Sequence, residues 1–423
     1  MTLELRANFV MYLGLAVVAA FLALLVKSFL RRGLDEGGQM ETAGALGTFP
    51  AKKIGVLYFF NRVILFAGVY LFVQVIGNSK PGFFQSFKEI WFKWDSNGYL
   101  RIAQNWYATT GDDKYDIALY PLYPLLIKAV NFLVRDYFLS GIFVSNVFMF
   151  VGLIFLYKLV ELDSGDGNAA FDSTKYLLLF PCSFFFSIVY TESVFFTLSV
   201  LAIYFTRKKL LHLGGVFGLL AAFTRNQGLL LLIPIFIEAV SGIPWKEHFR
   251  GKHRGEILRR LGLAVSAALL VPCGTALYLL VNKLTFGDWF QFLTFQKENW
   301  SQQLGFFGYN LRDFVFNLAN REVSLGLGVF APNLIVFFLC MVLLILTVEK
   351  MRLSYLVYSL AYVVVSFSPT WLLSGPRYIS GMFTLYIMLA LTFRSDLSKR
   401  IAEGALWVLL MFFAVLFTLN GVY

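Results

Sequence analysis

The sequence predicts an all-α polytopic membrane protein, and three observations carry that prediction. Of its 423 residues, 58% are hydrophobic and 14% are charged, whereas a soluble domain is nearer half apolar and a quarter charged. The mean hydropathy is +0.70. The apolar residues run in continuous stretches, while the strands of a membrane barrel alternate. Together these exclude a disordered chain, a nucleic-acid-binding module and an ordinary cytosolic enzyme. The net charge of +11 agrees, because cytoplasmic loops of membrane proteins carry excess Lys and Arg.

A spanning helix needs roughly 20 apolar residues. Full-length candidates are 8–27, 54–76, 140–160, 261–281, 329–348, 354–372, 377–393 and 403–420. The first is too long for the apolar core of a signal peptide, and its flank (Glu4, Arg6) is weakly charged. No small-residue cleavage pattern follows it, so it reads as a retained helix. Two stretches divide differently. Residues 174–206 are apolar except at Tyr190-Thr191-Glu192, and 211–240 except at Thr224-Arg225-Asn226-Gln227-Gly228. Basic clusters follow both: Arg207-Lys208-Lys209, then Lys246, Arg250, Lys252, Arg254, Arg259 and Arg260. Single crossings would put one cluster on the wrong side, whereas helical hairpins put both in the cytoplasm. The polar residues then sit at two hairpin tips. Arms of about 13 residues reach about 20 Å, short of a roughly 30 Å hydrocarbon core. The second tip therefore sinks below the surface into a protein-lined cavity.

This folding gives about 12 membrane-embedded segments with both termini outside. Cytoplasmic segments are 28–53, 161–173, 207–210, 241–260, 349–353 and 394–402, all basic except the acidic 161–173. The outer loops 77–139 and 282–328 supply the extramembrane layer, and 118–134 reads as a membrane-hugging helix with Pro121 and Pro124 in its first turn. The chain divides into an extra N-terminal helix and linker (1–53), a membrane core (54–393) and a C-terminal helix (394–423). Cys182, Cys273 and Cys340 lie in apolar runs and read as packing residues. His212, His248 and His253 stand in or beside basic loops with no ligand cluster, so no metal is expected.

Four ionisable groups, far apart in sequence, fall at the outer boundary. Asp95 precedes a segment of helical periodicity, so it reads either as an N-cap or as a carboxylate general base. Glu192 interrupts an apolar tip, as a solvated turn or a paired functional group. Arg225 interrupts the second tip, and a guanidinium suits bidentate phosphate binding. Arg377 opens a helix after Pro376, where a cation opposes the helix dipole and calls for an anionic ligand or a snorkelling geometry. Arg62, within the second span, has no assigned role. Asp112-Asp113-Lys114-Tyr115-Asp116 reads as a solvated loop. The loop 282–328 interleaves aromatic and amide side chains and reads either as an interfacial aromatic belt, above all for its Phe residues, or as a surface for sugar stacking, above all at Trp300 beside Asn299 and Gln302. An outward-facing acid with several cations suits an enzyme acting on a lipid-linked phosphate substrate.

The run Trp94-Asp95-Ser96-x-x-Tyr99-Leu100-x-Ile102-Ala103 resembles the signature of the PIG-V family, the second mannosyltransferase of GPI assembly and its prokaryotic relatives. Tyr120-Pro121-Leu122-Tyr123-Pro124-Leu125-Leu126 is similar to its next segment. Phe180-Pro181-x-Ser183-Phe184-Phe185-Phe186-Ser187-x-x-Tyr190-Thr191-Glu192-Ser193 is similar to its most recognisable one. Thr224-Arg225 and Pro376-Arg377-Tyr378 match later elements in order. Gly98 stands where the pattern often has a ring, and Trp106 where it often has Gly. The resemblance implies a C-type glycosyltransferase fold with amphipathic helices in the first outer loop. It implies a polyprenyl- or dolichyl-phosphate sugar donor, commonly mannose, and transfer with inversion at the exoplasmic face. Asp95 would be the base, Arg225 and Arg377 would hold the donor phosphate, and Glu192 would orient hydroxyls. Trp94, Ser96, Tyr99, Asn226, Tyr378 and Trp300 would contact substrate. The acceptor would be a lipid-linked glycan, glycolipid or protein. No cofactor and no obligatory metal are expected. The alternative is a transporter or flippase for lipid-linked glycans, which would place its polar groups near the midplane.

Overall fold

The computed structural model of the chain describes residues 2–33, 49–76, 82–241, 243 and 254–419. Most of the linker after the first helix lies outside these residues, as do His248, His253 and the basic residues Lys246, Arg250 and Lys252. Among the described residues the protein is helical, and its single β-type pairing is an isolated bridge between Leu304 and Pro369.

Among the described residues, six helices are long and apolar enough to cross a membrane. They are α1 (Leu3–Arg32), α2 (Ala51–Ile76), α6 (Tyr137–Ser164), α11 (Arg254–Phe286), the run from Val323 through α14 (Ala331–Thr347), and α18 (Asp396–Thr418). Shorter helices complete the bundle: α7 (Gly167–Leu179), α8 (Glu192–Arg207), α9 (Leu211–Ala222), α10 (Leu232–Val240), α15 (Leu353–Ser366), α16 (Gly375–Ser380) and α17 (Phe383–Thr392). This is consistent with about twelve embedded segments.

Both doubtful stretches fold back on themselves. Phe180 leaves α7 in an extended conformation, as a residue before proline prefers. A 3₁₀ turn at Ser183–Phe186 then leads to α8. At the second tip Arg225 is extended (φ −156°, ψ 152°) before a 3₁₀ turn at Asn226–Leu231. Gly228 makes that turn possible, because a Cβ there would stand 2.4 Å from the Ala221 and Ala222 backbone.

The turns sort into two ends. At one end Arg207, closing α8, donates to Asp163 at 2.7 Å and to Glu238 of α10 at 3.2 Å. Arg352 donates to Glu238 at 2.7 Å, Arg32 of α1 to the Val348 carbonyl at 2.7 Å, and Lys399 of α18 meets Asp172 at 2.6 Å. The acidic loop 161–173 thus supplies counter-charges for the basic turns around it. The opposite end carries the amphipathic α3 (Phe83–Trp91), α4 (Asp95–Asn105) and α5 (Leu122–Val134), and also α12 (Gln291–Trp300) and α13 (Phe307–Asn320). There, 303–305 pairs with 368–370 through Gly305 N–H to the Ser368 carbonyl (2.9 Å) and Thr370 N–H to the Gln303 carbonyl (2.8 Å). The C-terminal helix buttresses this end. Trp91 stacks on Phe417 (6.2 Å), and Lys93 donates to the Thr418 carbonyl at 2.6 Å.

Candidate active site

Asp95 is the first residue of α4. The N-cap position belongs to Trp94, and no side-chain cap bond forms there, so the N-cap reading of Asp95 does not hold. Its Oδ2 accepts from Arg377 Nη2 at 2.8 Å instead. Arg377 Nε donates at 2.7 Å to Glu192 Oε1, and the same oxygen accepts from Arg225 Nη1 at 2.5 Å. Arg225 Nη1 also lies 3.4 Å from Thr191 Oγ1. The result is a chain of alternating charge, Asp95–Arg377–Glu192–Arg225, assembled from α4, α16, the first hairpin tip and the second.

The surroundings are aromatic. Arg377 lies 4.5 Å from the Tyr190 ring centroid, and Arg225 5.2 Å from that of Tyr378. Tyr190 donates to the Lys93 carbonyl at 3.0 Å, tying the first tip to the loop that delivers Asp95. Tyr99 packs edge-on against Tyr123 at 5.3 Å. Glu192 stands in the first turn of α8, where the helix dipole favours a carboxylate.

Exposure separates the members. Arg225, Arg377 and Glu192 are buried, while the Asp95 side chain keeps 32% of its surface. Among the described residues nothing donates to Asp95 Oδ1. Glu192 Oε2 is buried and has no partner among them either. Removing each ion from water costs several kcal/mol, and a buried pair seldom returns more than that. Stability alone therefore does not account for this cluster.

The structure brings Asp95, Glu192, Arg225, Arg377 and Tyr378 together, with Tyr99 beside them. Ser96 is fully buried, its hydroxyl unpartnered among the described residues. Trp94 is 38% exposed on the rim, in a backbone conformation (φ 52°, ψ −123°) that few non-glycine residues adopt. Three further expected residues lie as follows. Asn226, next to the extended Arg225, is exposed. Trp300 packs edge-on against Tyr115 at 6.3 Å, and Tyr115 against Phe295 at 5.3 Å, in a separate aromatic cluster. Glu192 is fully buried, and its Oε1 holds two guanidiniums.

Sequence reasoning missed a support beneath α4. Asp116 is buried rather than solvated, and Arg101 grips it through Nε (2.8 Å) and Nη2 (2.7 Å). Burial pushes the Asp116 carboxyl above its usual range, and Arg101 offsets this only in part. Gly98 admits it, since a Cβ there would stand 2.8 Å from Asp116 Oδ1 and 2.4 Å from Leu119 Cδ1. The signal available was a glycine three residues before an arginine, on the helix that carries the acid. Among the described residues, no group of three or more His, Cys, Asp or Glu side chains is placed to hold a metal ion.

No protein-family profile matches the chain, and no curated protein matches it. Among solved structures, the chain is similar to ArnT from Cupriavidus metallidurans bound to undecaprenyl phosphate, at 14% identity and a TM-score of 0.48. The likeness covers 84% of this chain and 62% of that one, so the chain spans less than two thirds of that protein's length.

Proposed function

We propose that the chain is an integral-membrane glycosyltransferase of the C-type fold. In this reading it moves a sugar, mannose in the first instance, from a polyprenyl- or dolichyl-phosphate donor to an acceptor hydroxyl at the exoplasmic face, with inversion. The observation that supports it is the charged chain itself, which holds a partly exposed carboxylate and two guanidiniums together among aromatic side chains. Asp95 takes the proton of the acceptor hydroxyl on Oδ1. The acceptor oxygen attacks the anomeric carbon as the bond from that carbon to the phosphate oxygen breaks. The phosphate leaves carrying the electron pair, so its charge grows from a monoanion to a dianion, and Arg225 and Arg377 stabilise the increment. Such a leaving group departs without an acid catalyst. Glu192 holds the two guanidiniums side by side against their mutual repulsion, and Tyr99, Tyr378 and Trp94 shape the pocket for the sugar.

Purified protein given polyprenyl-phosphate-mannose and a mixture of lipid, glycan and peptide acceptors tests this. Transfer is expected, and Asp95→Asn should slow it by about 10²- to 10⁴-fold, the range of a general base. Unchanged turnover in Asp95→Asn removes the base assignment. Absence of transfer with every sugar donor, together with glycolipid scrambling in vesicles, establishes the transporter instead.

A further inference from the structure

Arg62 belongs to no part of the proposed reaction, and its surroundings are unlike those of the chain's other buried arginines. It stands near the middle of α2, about 17 Å along a helix about 39 Å long, and is buried. Its Nη1 donates to the Ser183 carbonyl at 3.3 Å. Nε and Nη2 are buried and find no partner among the described residues. Elsewhere in the chain the same two nitrogens grip a carboxylate. Arg101 holds Asp116 in this way (2.8 and 2.7 Å), and Arg352 holds Glu238 (2.7 and 2.9 Å). This planar fork matches two oxygens of one acid.

The side chain of Arg62 lines a groove of about 520 Å³. Phe59, Val63 and Leu71 form its exposed edge, and Phe83 and Phe87 of α3 close one end. The Tyr58 ring lies 5.6 Å from the guanidinium carbon, and the polar groups of the groove are engaged with other partners. Tyr58 donates to Asn146 Oδ1 at 2.8 Å, and Asn146 donates to the Ser187 carbonyl at 2.9 Å. The groove therefore combines apolar walls with a cation whose fork is unmatched, and a cation left so in apolar surroundings is costly.

We infer that this groove binds a single-chain lipid ending in a carboxylate, the chain lying along α2 and the acid pairing with Arg62. A zwitterionic phospholipid head would bring an ammonium beside the guanidinium, whereas a fatty acid brings the carboxylate alone. One guanidinium neutralises one charge, so a carboxylate is matched while a terminal monophosphate would leave a second charge in the hydrocarbon. The fork is covered in this structure, so engagement turns the guanidinium toward the groove that its own stem lines.

The test uses the full-length protein in phosphatidylcholine vesicles with a diazirine-bearing fatty acid, read by mass spectrometry of the crosslinked peptide. Crosslinks are expected within 58–71, competed by oleate and not by methyl oleate. Arg62→Gln should weaken labelling at least about tenfold, the scale of a lost charge-assisted bidentate pair. Ala67 lines the exposed edge, so Ala67→Trp should block the groove without touching the charge, and should abolish labelling in a protein that still transfers sugar. Equal competition by the methyl ester, or wild-type labelling of a folded Arg62→Gln, overturns the acid-binding claim. Stronger competition by an alkyl monophosphate overturns the choice of carboxylate. Absence of crosslinks in this segment overturns the site.

Discussion

Among the described residues the bundle carries two largely buried charge clusters of identical formula, one at each end, and they differ in closure. Each has two carboxylates and two guanidiniums, and in each an arginine spans both acids. Arg207 bridges Asp163 and Glu238 at one end, and Arg377 bridges Asp95 and Glu192 at the other. At the Glu238 end every carboxylate oxygen is used. Asp163 accepts from Arg207 and from the Tyr355 hydroxyl (2.5 Å), and Glu238 accepts from Arg207, twice from Arg352, and from Ser354. At the Asp95 end both arginines crowd onto one oxygen of Glu192, whose other oxygen is unpartnered among the described residues. Saturation marks a cluster that ties helix ends together. Unused hydrogen-bonding capacity leaves the Asp95 end able to take a further partner, which is the difference the proposed reaction relies on.

Breaking the saturated cluster should have the largest effect on the molecule. Arg352→Ala takes the forked guanidinium from Glu238 and leaves it only Arg207 at 3.2 Å and the Ser354 hydroxyl, and removing one partner of a buried pair costs up to about 3–5 kcal/mol. Thermal unfolding in detergent should show a large loss of stability or no folded protein. A stability within 1 kcal/mol of wild type would show that this end is not a structural clamp. The bridging arginines sharpen the contrast next. Arg377→Lys and Arg207→Lys each replace a fork that reaches two acids with a single ammonium. The former should slow transfer by roughly 10²- to 10³-fold, as loss of an oxyanion-stabilising donor does, with little change in unfolding midpoint. Arg207→Lys should do the reverse. If both variants lose stability and activity in the same proportion, the two clusters are not different in kind.

The sequence made one of these clusters legible and hid the other. Asp95, Glu192, Arg225 and Arg377 were visible because three of them interrupt apolar runs or open a span, and the hairpin argument put them at one level. Glu238, Arg207 and Arg352 sit where apolar runs give way to basic turns, which is where the positive-inside rule already expects charge. Nothing local distinguishes a clamp there from solvated loop residues, because its partners are brought from distant helices. The helical class and the two-ended sorting of turns were equally readable, since both follow from hydropathy and Lys/Arg placement. Exposure at the site was not. Asn226 and Trp300 were chosen by residue type and neighbourhood, which say nothing of the exposure of the one or of the ring contact with Tyr115 that the other makes.

Support beneath Asp95 comes from a close approach that a methyl group would spoil. Gly98→Ala would drive a Cβ into Leu119 and against Asp116 Oδ1, and overpacking of this kind costs about 1–3 kcal/mol. The strain falls on the Arg101–Asp116 pair that holds α4. Transfer should drop about tenfold with the acceptor KM rising, and unfolding should begin at this end in hydrogen exchange. Unaltered kinetics would show that α4 is positioned by Arg377 alone.

The smallest effect probes stored strain, which the Asp95 end carries on both sides of α4. Trp94 precedes the helix at φ 52°, and Trp106 follows it at φ 67°, ψ −167°. The second conformation is one that essentially only glycine adopts without cost, and a residue held there stores about 1–3 kcal/mol. Trp106→Gly releases that strain but also removes the ring that packs edge-on against Tyr107 at 5.0 Å, worth about 0.5–1.5 kcal/mol. The difference favours glycine by about 1 kcal/mol, so the unfolding midpoint should rise slightly. If the strain helps fix the pose of α4, the stabilised variant should transfer sugar more slowly, because a relaxed exit lets the helix and its acid drift from Arg377. A gain in stability with undiminished transfer would assign the strain to the loop alone and leave the positioning of Asp95 to its charged partners.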